Sequence, residues 1–213
     1  MRIFFFIEKY ERNDILMAKA VSGIKGLAFA ELTINDDKTY SYEKPVMVPE
    51  LEQITVTDTY SESSNYADNK RNIYQKKKTG SDMSIVLTEL KKIIEAIITG
   101  KKYYKGALLS KTNDVQKEVA VLYQKTYNDG SIDYCIYYNV KLSRDDNNGE
   151  TDGESTNYQK VTISGKASPL PDDQLDLVIG SDEAEKDEEM KLLIENFYEE
   201  VQFLPEGALV SNE

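Results

Sequence analysis

The stretch Ser81-Asp-Met-Ser-Ile-Val-Leu-Thr-Glu-Leu-Lys-Lys-Ile-Ile-Glu-Ala-Ile-Ile-Thr-Gly100 decides the fold class. Met83 to Leu87 reads as a short strand, and Thr88 stands where a helix N-cap is favoured. Leu90, Ile93, Ile94 and Ile97 then fall at i, i+3, i+4 and i+7, one apolar face of a helix over about 88–99. Gly100 is the expected left-handed residue past its last turn, and Lys101 and Lys102 follow where the helix dipole favours cations. No other segment in the middle of the chain has a helical period, and the flanking segments alternate like strands. A single amphipathic helix among strands must bury its stripe against a sheet. The expected fold is therefore mainly β: a sandwich or partly closed barrel with this one helix as its plug.

Composition narrows the chemistry. The 213 residues include no His, which removes Ser-His-Asp and Cys-His catalysis and most zinc sites. The one cysteine, Cys135, lies in the apolar run Tyr134–Val140 and reads as a buried structural thiol. An absence of disulfides suits synthesis in a reducing compartment. The net charge is −12, with eleven acids against Lys186 and Lys191 between Ser181 and Glu213, so that segment carries −9 and the other residues −3. An acidic chain is a poor wrapper of nucleic acid. No apolar run reaches the length of a membrane span. Ile3 to Ile7 is too short for a signal sequence, and charges follow it at once.

In chain order, residues 1–16 join that apolar pentapeptide to a charged run, and Met17 offers a second start. Either translation begins at Met17, or 1–16 is an added edge strand or anchor. From 17 to 179 the pattern is β, with strands expected at Leu27–Ile34, Gln53–Tyr60, Ile73–Lys78, Gly106–Ser110, Glu118–Tyr127, Ser131–Leu142 and Tyr158–Ala167. Pro45 and Pro49 confine Val46–Val48 to an edge or loop. Ser61–Asn65 reads as a polar loop, and Lys76 to Lys78 as a solvated edge that discourages strand addition. Asn128-Asp129-Gly130 is a hairpin turn. The acids of the loop 143–156 miss the spacing of a calcium loop. From 180 to 213 the chain is an acidic helical extension. Met190, Leu193, Ile194, Phe197 and Val201 recur at i, i+3, i+4, i+7 and i+11, an amphipathic helix that needs a docking surface on its own domain or on a sister subunit. If it is an inter-subunit helix, its removal after Gly180 weakens assembly and leaves the β domain folded.

The order of the pieces carries a resemblance. Met17-Ala-Lys-Ala-Val-Ser-Gly-Ile-Lys-Gly-Leu-Ala-Phe-Ala-Glu-Leu32 precedes Lys38-Thr-Tyr-Ser-Tyr-Glu-Lys-Pro45 and the tetrad Tyr66-Ala67-Asp68-Asn69. A strand-to-helix unit ending Ile97-Ile98-Thr99-Gly100 follows, then the strand over Tyr134–Leu142 and Val161-Thr-Ile-Ser-Gly165. From Met17 to Ile179 the chain resembles the major tail protein family of long-tailed bacteriophages, whose subunits form the tail tube. The resemblance implies a β-sandwich or barrel that assembles as hexameric rings, with inner strands joined into a β-lined tube and DNA passing through the lumen without tight binding. It implies ring stacking through a long loop at Asp36–Glu52 and through terminal arms. The implied partners are further copies of the chain, tail-tip or baseplate, terminator and tape-measure proteins, with no membrane and no cofactor. The implied location is the virion tail, assembled in the host bacterial cytoplasm. An alternative is the inner tube of a contractile, phage-tail-like injection particle.

Two readings from other classes stand beside it. Catalysis lacks support, because Asp145 with Asp146 and Asp172 with Asp173 are ordinary turn acids without an apolar pocket to raise a pKa. No catalytic, cofactor-binding or metal residue is expected. A β-sandwich carbohydrate- or protein-binding module would need an exposed aromatic platform, for which Tyr134, Tyr137 and Tyr138 are the candidates. Alternating burial along that strand favours the tube, and a flat exposed tyrosine row favours the binder.

Overall fold

Three apolar runs, Leu27–Ala30, Val119–Tyr123 and Cys135–Tyr138, are continuous rather than alternating, as strands buried on both faces require. They organise the structure, a computed structural model that describes residues 19–67, 70–144 and 160–205, with the backbone alone at 64–67 and 70–74. Residues 1–16, Asp68 and Asn69 of the tetrad, and the acidic loop over 145–156 lie outside the described residues.

In chain order the elements are β1 (Val21–Ile34), β2 (Tyr40–Tyr42), β3 (Val46–Met47), β4 (Leu51–Ala67), β5 (Lys70–Leu87), α1 (Lys92–Thr99), β6 (Lys102–Tyr104) and β7 (Ala107–Leu109). Then come β8 (Glu118–Tyr127), β9 (Ile132–Arg144), β10 (Val161–Ala167), β11 (Asp176–Gly180), α2 (Ser181–Ala184) and α3 (Glu188–Glu195). The fold is mainly β. One antiparallel sheet runs β2-β1-β8-β9-β10-β5-β4, with β3 beside β2 on β1 and β11 pairing the first half of β9. The β6–β7 hairpin is a separate ribbon.

Two cores lie on either side of the β1-β8-β9 ladder. Leu27, Phe29, Val119, Val121, Tyr123 and Cys135 face the first, which Met83, Ile85, Ile163 and α1 close as the sheet curls back on itself. Ala28, Ala30, Ala120, Leu122, Ile136 and Tyr138 face the second, which Leu170, Phe197 and Val201 close from the C-terminal segment. The sheet is thus a partly closed barrel whose outer wall is roofed by its own tail.

The helix that plugs the first core is shorter than its sequence pattern. α1 starts at Lys92, and β5 runs straight through to Leu87. Thr88 caps nothing; its hydroxyl donates to Glu52 Oε1 at 3.0 Å. The buried row is Ile94 and Ile98, with Leu90 and Ile97 packed beside it, whereas Ile93 is 48% exposed. The later start explains the change, because Leu90 reaches the core from extended backbone and the helix presents its i, i+4 row instead. Gly100 has φ +72°, its N–H donates to Ala96 O, and a Cβ there would strike the Val115 carbonyl.

The C-terminal pattern is also not one helix. α3 ends at Glu195, and Asp187 caps its start by accepting from the N–H groups of Glu189 and Met190. Met190, Leu193 and Ile194 are half-buried, while Phe197 and Val201 lie beyond the helix and are buried. They dock on their own domain. Phe197 meets Tyr134 edge-on at 4.9 Å, Phe203 stacks on Tyr138 at 4.7 Å, and Tyr138 Oη donates to Gln202 O at 3.0 Å. Tyr198 Oη donates to Gly26 O at 2.7 Å. Ending the chain after Gly180 therefore unroofs the second core instead of sparing the β domain. Phe197→Ala is expected to cost about 3–5 kcal/mol in urea unfolding, and truncation after Gly180 to abolish the cooperative transition. A loss under about 1 kcal/mol would contradict this packing.

Candidate assembly interface

The polar stretch Ser61–Asn65 is strand, not loop. β4 and β5 pair along their whole length, from Leu51 with Leu87 to Ala67 with Lys70. β10 pairs β5 only between Ser81 and Leu87. Beyond that point no third strand joins among the described residues, and 60–67 with 70–78 form a two-stranded arm about 25 Å long. Tyr66 pairs with Arg71 and Ala67 with Lys70, the outermost described pairs of the arm, so the first two residues of the tetrad belong to β4.

The arm leaves the sheet at an irregularity. The register passes from Thr59 opposite Gly80 to Tyr60 opposite Lys78, which leaves Thr79 as the extra residue of a bulge. A Cβ on Gly80 would crowd the Ala167 carbonyl, so glycine permits the close approach of β10 where the arm begins. Charges fix the same place. Lys78 Nζ bridges Asp176 at 2.8 Å and Asp58 at 3.0 Å, and Ser81 Oγ donates to Asp58 at 2.7 Å. The Ser81 hydroxyl and Lys78 hold the Asp58 carboxyl below its usual range against its partial burial. Of the three lysines expected to guard an edge, Lys78 is tied into this network and Lys76 lies 3.7 Å from Glu62. An open groove of about 420 Å³ runs beside the arm's base, lined by Ser63, Gln75, Lys77, Pro169 and Leu175 among others.

No strand pairs with the outer edge of β4 among the described residues, although β1 passes close to β4 where the barrel nearly closes. Its sequence from Leu51 to Ala67 contains neither Pro nor Lys. The opposite side of the sheet is managed differently: β2 and β3 are short, and Pro45 and Pro49 flank β3. The stretch Asp36–Glu52 is accordingly not one long free loop, since β2 and β3 within it pair back onto β1.

A second charged cluster secures α1. Glu95, almost fully buried, accepts from Lys101 Nζ at 2.8 Å and Arg144 at 2.9 Å. Burial pushes its carboxyl upward, and Lys101 with Arg144 outweigh that and hold it below the usual range. A lowered folded pKa stabilises the fold above the carboxyl's ordinary 4.5 and is lost as pH falls through the lower folded value. The sequence pattern gives no sign of this group, because an acid inside an apolar stripe reads as the polar face.

The tyrosine platform is absent from the surface. Tyr137 and Cys135 face the first core, Tyr134 and Tyr138 the second, and Tyr123 stacks on Tyr137 at 6.4 Å. Burial pushes the Cys135 thiol up to about 11, which keeps it neutral and unreactive. No group of three His, Cys, Asp or Glu side chains able to hold a metal exists among the described residues. No helix among them is long and apolar enough to cross a membrane.

No family model and no curated protein matches the chain. Among solved structures it is similar to the anti-feeding prophage cap, a tube-terminating cap determined by cryo-electron microscopy, at 10% identity and a TM-score of 0.43, over 80% of this chain and 98% of that one. A likeness of this size carries no argument about function.

Glu95→Gln is expected to lower stability by about 1.5–3 kcal/mol at neutral pH, because it leaves two cations facing a neutral amide. The difference between the two proteins should shrink as the pH is taken below 4.5 in urea titrations, and a difference constant from pH 7 to pH 3, roughly, would contradict the ion-pair account.

Proposed function

We propose that this chain is a non-enzymatic structural subunit that self-assembles into stacked hexameric rings forming a phage-type tail tube. The observation that carries the reading is the outer edge of β4, which no strand pairs among the described residues and whose last eight of seventeen residues, 60–67, run out as one side of the arm. Monomeric proteins blunt such an edge with Pro, Lys or a covering element. Here the blunting devices are on the other side of the sheet, so β4 is kept open for a neighbour. Pairing of β4 with a neighbouring copy satisfies the open N–H and C=O groups of that edge, and closure of the ring leaves no copy with an unpaired β4. The resemblance to tail-tube subunits, quoted above on its residues, supplies the six-fold ring and the conduit. The chain's acidity suits a lumen through which DNA passes without sticking. Burial of the tyrosines on both faces of β9 speaks against a carbohydrate-binding platform.

Replacing 61–77 with a two-residue Asn-Gly turn between Tyr60 and Lys78 removes the arm and keeps the barrel. The expected result is an unfolding free energy within about 1 kcal/mol of the full chain together with complete loss of rings in electron micrographs. Rings formed equally well by the shortened chain would sink the assembly role of the arm.

A further inference from the structure

Opposite charges occupy opposite ends of one strand. Residues 91–117 carry seven lysines against Glu95 and Asp114, a net of +5 inside a chain of −12. Residues 181–195 carry seven acids against Lys186 and Lys191, a net of −5. The basic segment is tied to the C-terminal end of β9, where Arg144 bonds Glu95. The acidic segment is tied to the N-terminal end, where the Ile132 N–H donates to Ser181 Oγ at 3.0 Å. β9 spans 13 residues, which sets the two ends roughly 40 Å apart. That is several screening lengths, so the two charges do not meet within one chain.

Neither end uses up its charge internally. Lys101 pairs with Glu95 and Lys117 with Glu31, but Lys91, Lys102, Lys105 and Lys111 form no ion pair among the described residues. At the other end Lys19 pairs with Asp182, while Glu183, Glu185, Glu188 and Glu189 form none. Each end also exposes apolar surface. The β6–β7 ribbon and the loop after it present Tyr104 and Val115, 70% and 77% exposed, and α3 presents Leu192. Aromatic anchors inside a ring of complementary charge are the make-up of a specific protein contact.

We infer that the lysine- and tyrosine-bearing β6–β7 end of one copy docks on the acidic α2–α3 end of a second copy. The two patches differ, so the contact is heterologous: it runs head to tail and repeats instead of closing on a pair. It deepens the tube reading and rests on it for one point, that this contact lies between successive rings while β4 joins copies within a ring. The charges set register and on-rate, and salt weakens them as the screening length falls from about 10 Å at 0.1 M to about 3 Å at 1 M. Duplex DNA is the less fitting occupant of the basic end, because the rest of the chain repels it.

The test uses two full-length variants. Lys102→Glu/Lys105→Glu/Lys111→Glu makes both ends acidic, and Glu185→Lys/Glu188→Lys/Glu189→Lys makes both ends basic. Each is assembled separately, followed by sedimentation and electron microscopy, and then the two are mixed in equal amounts. Axial association is expected to fall at least tenfold in each variant alone, to return on mixing, and to weaken in high salt for the native chain. Rings that persist unstacked in each variant support the inference. A native chain that makes no rings, yet forms salt-sensitive chains lost in each variant and restored on mixing, defeats the tube reading and keeps this contact. Undiminished stacking by either variant alone, or a mixture that stays unstacked, overturns the inference. So does a basic end that retains duplex DNA while its reversal leaves self-association unchanged.

Discussion

Burial of the β1-β8-β9 ladder on both faces is the constraint on which the rest depends. A strand with apolar side chains on both sides needs two separate covers, and one curled sheet supplies only one. The chain meets the first need by wrapping β10, β5 and β4 back across the ladder with α1 plugging the gap. It meets the second with the segment from Leu170 to Phe203, whose aromatic residues stack on Tyr134 and Tyr138. The acidic C-terminal region is thus held in place by its aromatic residues and leaves its charges outward. Fold stability and the presentation of an acidic end come from the same segment.

The wrapping has a second consequence. Once β5 is committed to β10 on one side and β4 on the other, β4 becomes the last strand of the sheet. Its length exceeds what β10 can support, so the excess becomes an arm. The bulge at Thr79 and the Lys78 bridge between Asp58 and Asp176 define where it departs. The arm and the open edge are therefore one feature, produced by a mismatch in strand length. In the proposed ring, this mismatch is what offers the edge to a neighbouring copy.

Much of the fold was legible in the sequence because its strongest signals are local. Gly100 fixes the end of α1 by conformation, and Asn128-Asp129-Gly130 fixes the turn between β8 and β9. The apolar stripe announced a plugging helix within a β protein. What stayed hidden depends on distant partners. Ser61–Asn65 read as loop because the stretch has no apolar alternation to display, and its residues 61–63 are exposed on both faces. Glu95 is buried only because Arg144 and Lys101 come to meet it. Phe197 and Val201 keep helical spacing by coincidence, since the backbone has left the helix before either is reached. The candidate site shared this fate: the tetrad was visible as a motif, but that Tyr66 and Ala67 close the described pairs of a two-stranded arm follows from pairing with β5.

The most direct measurement is amide hydrogen exchange along 51–60, read by mass spectrometry below and above the concentration at which the chain assembles. If β4 is the edge that receives a neighbour, its outward N–H groups gain protection as particles form, while the β8 and β9 amides, already paired on both sides, stay as they were. Exchange along 51–60 that is the same in free and assembled protein would contradict the account, because assembly would then use some other surface.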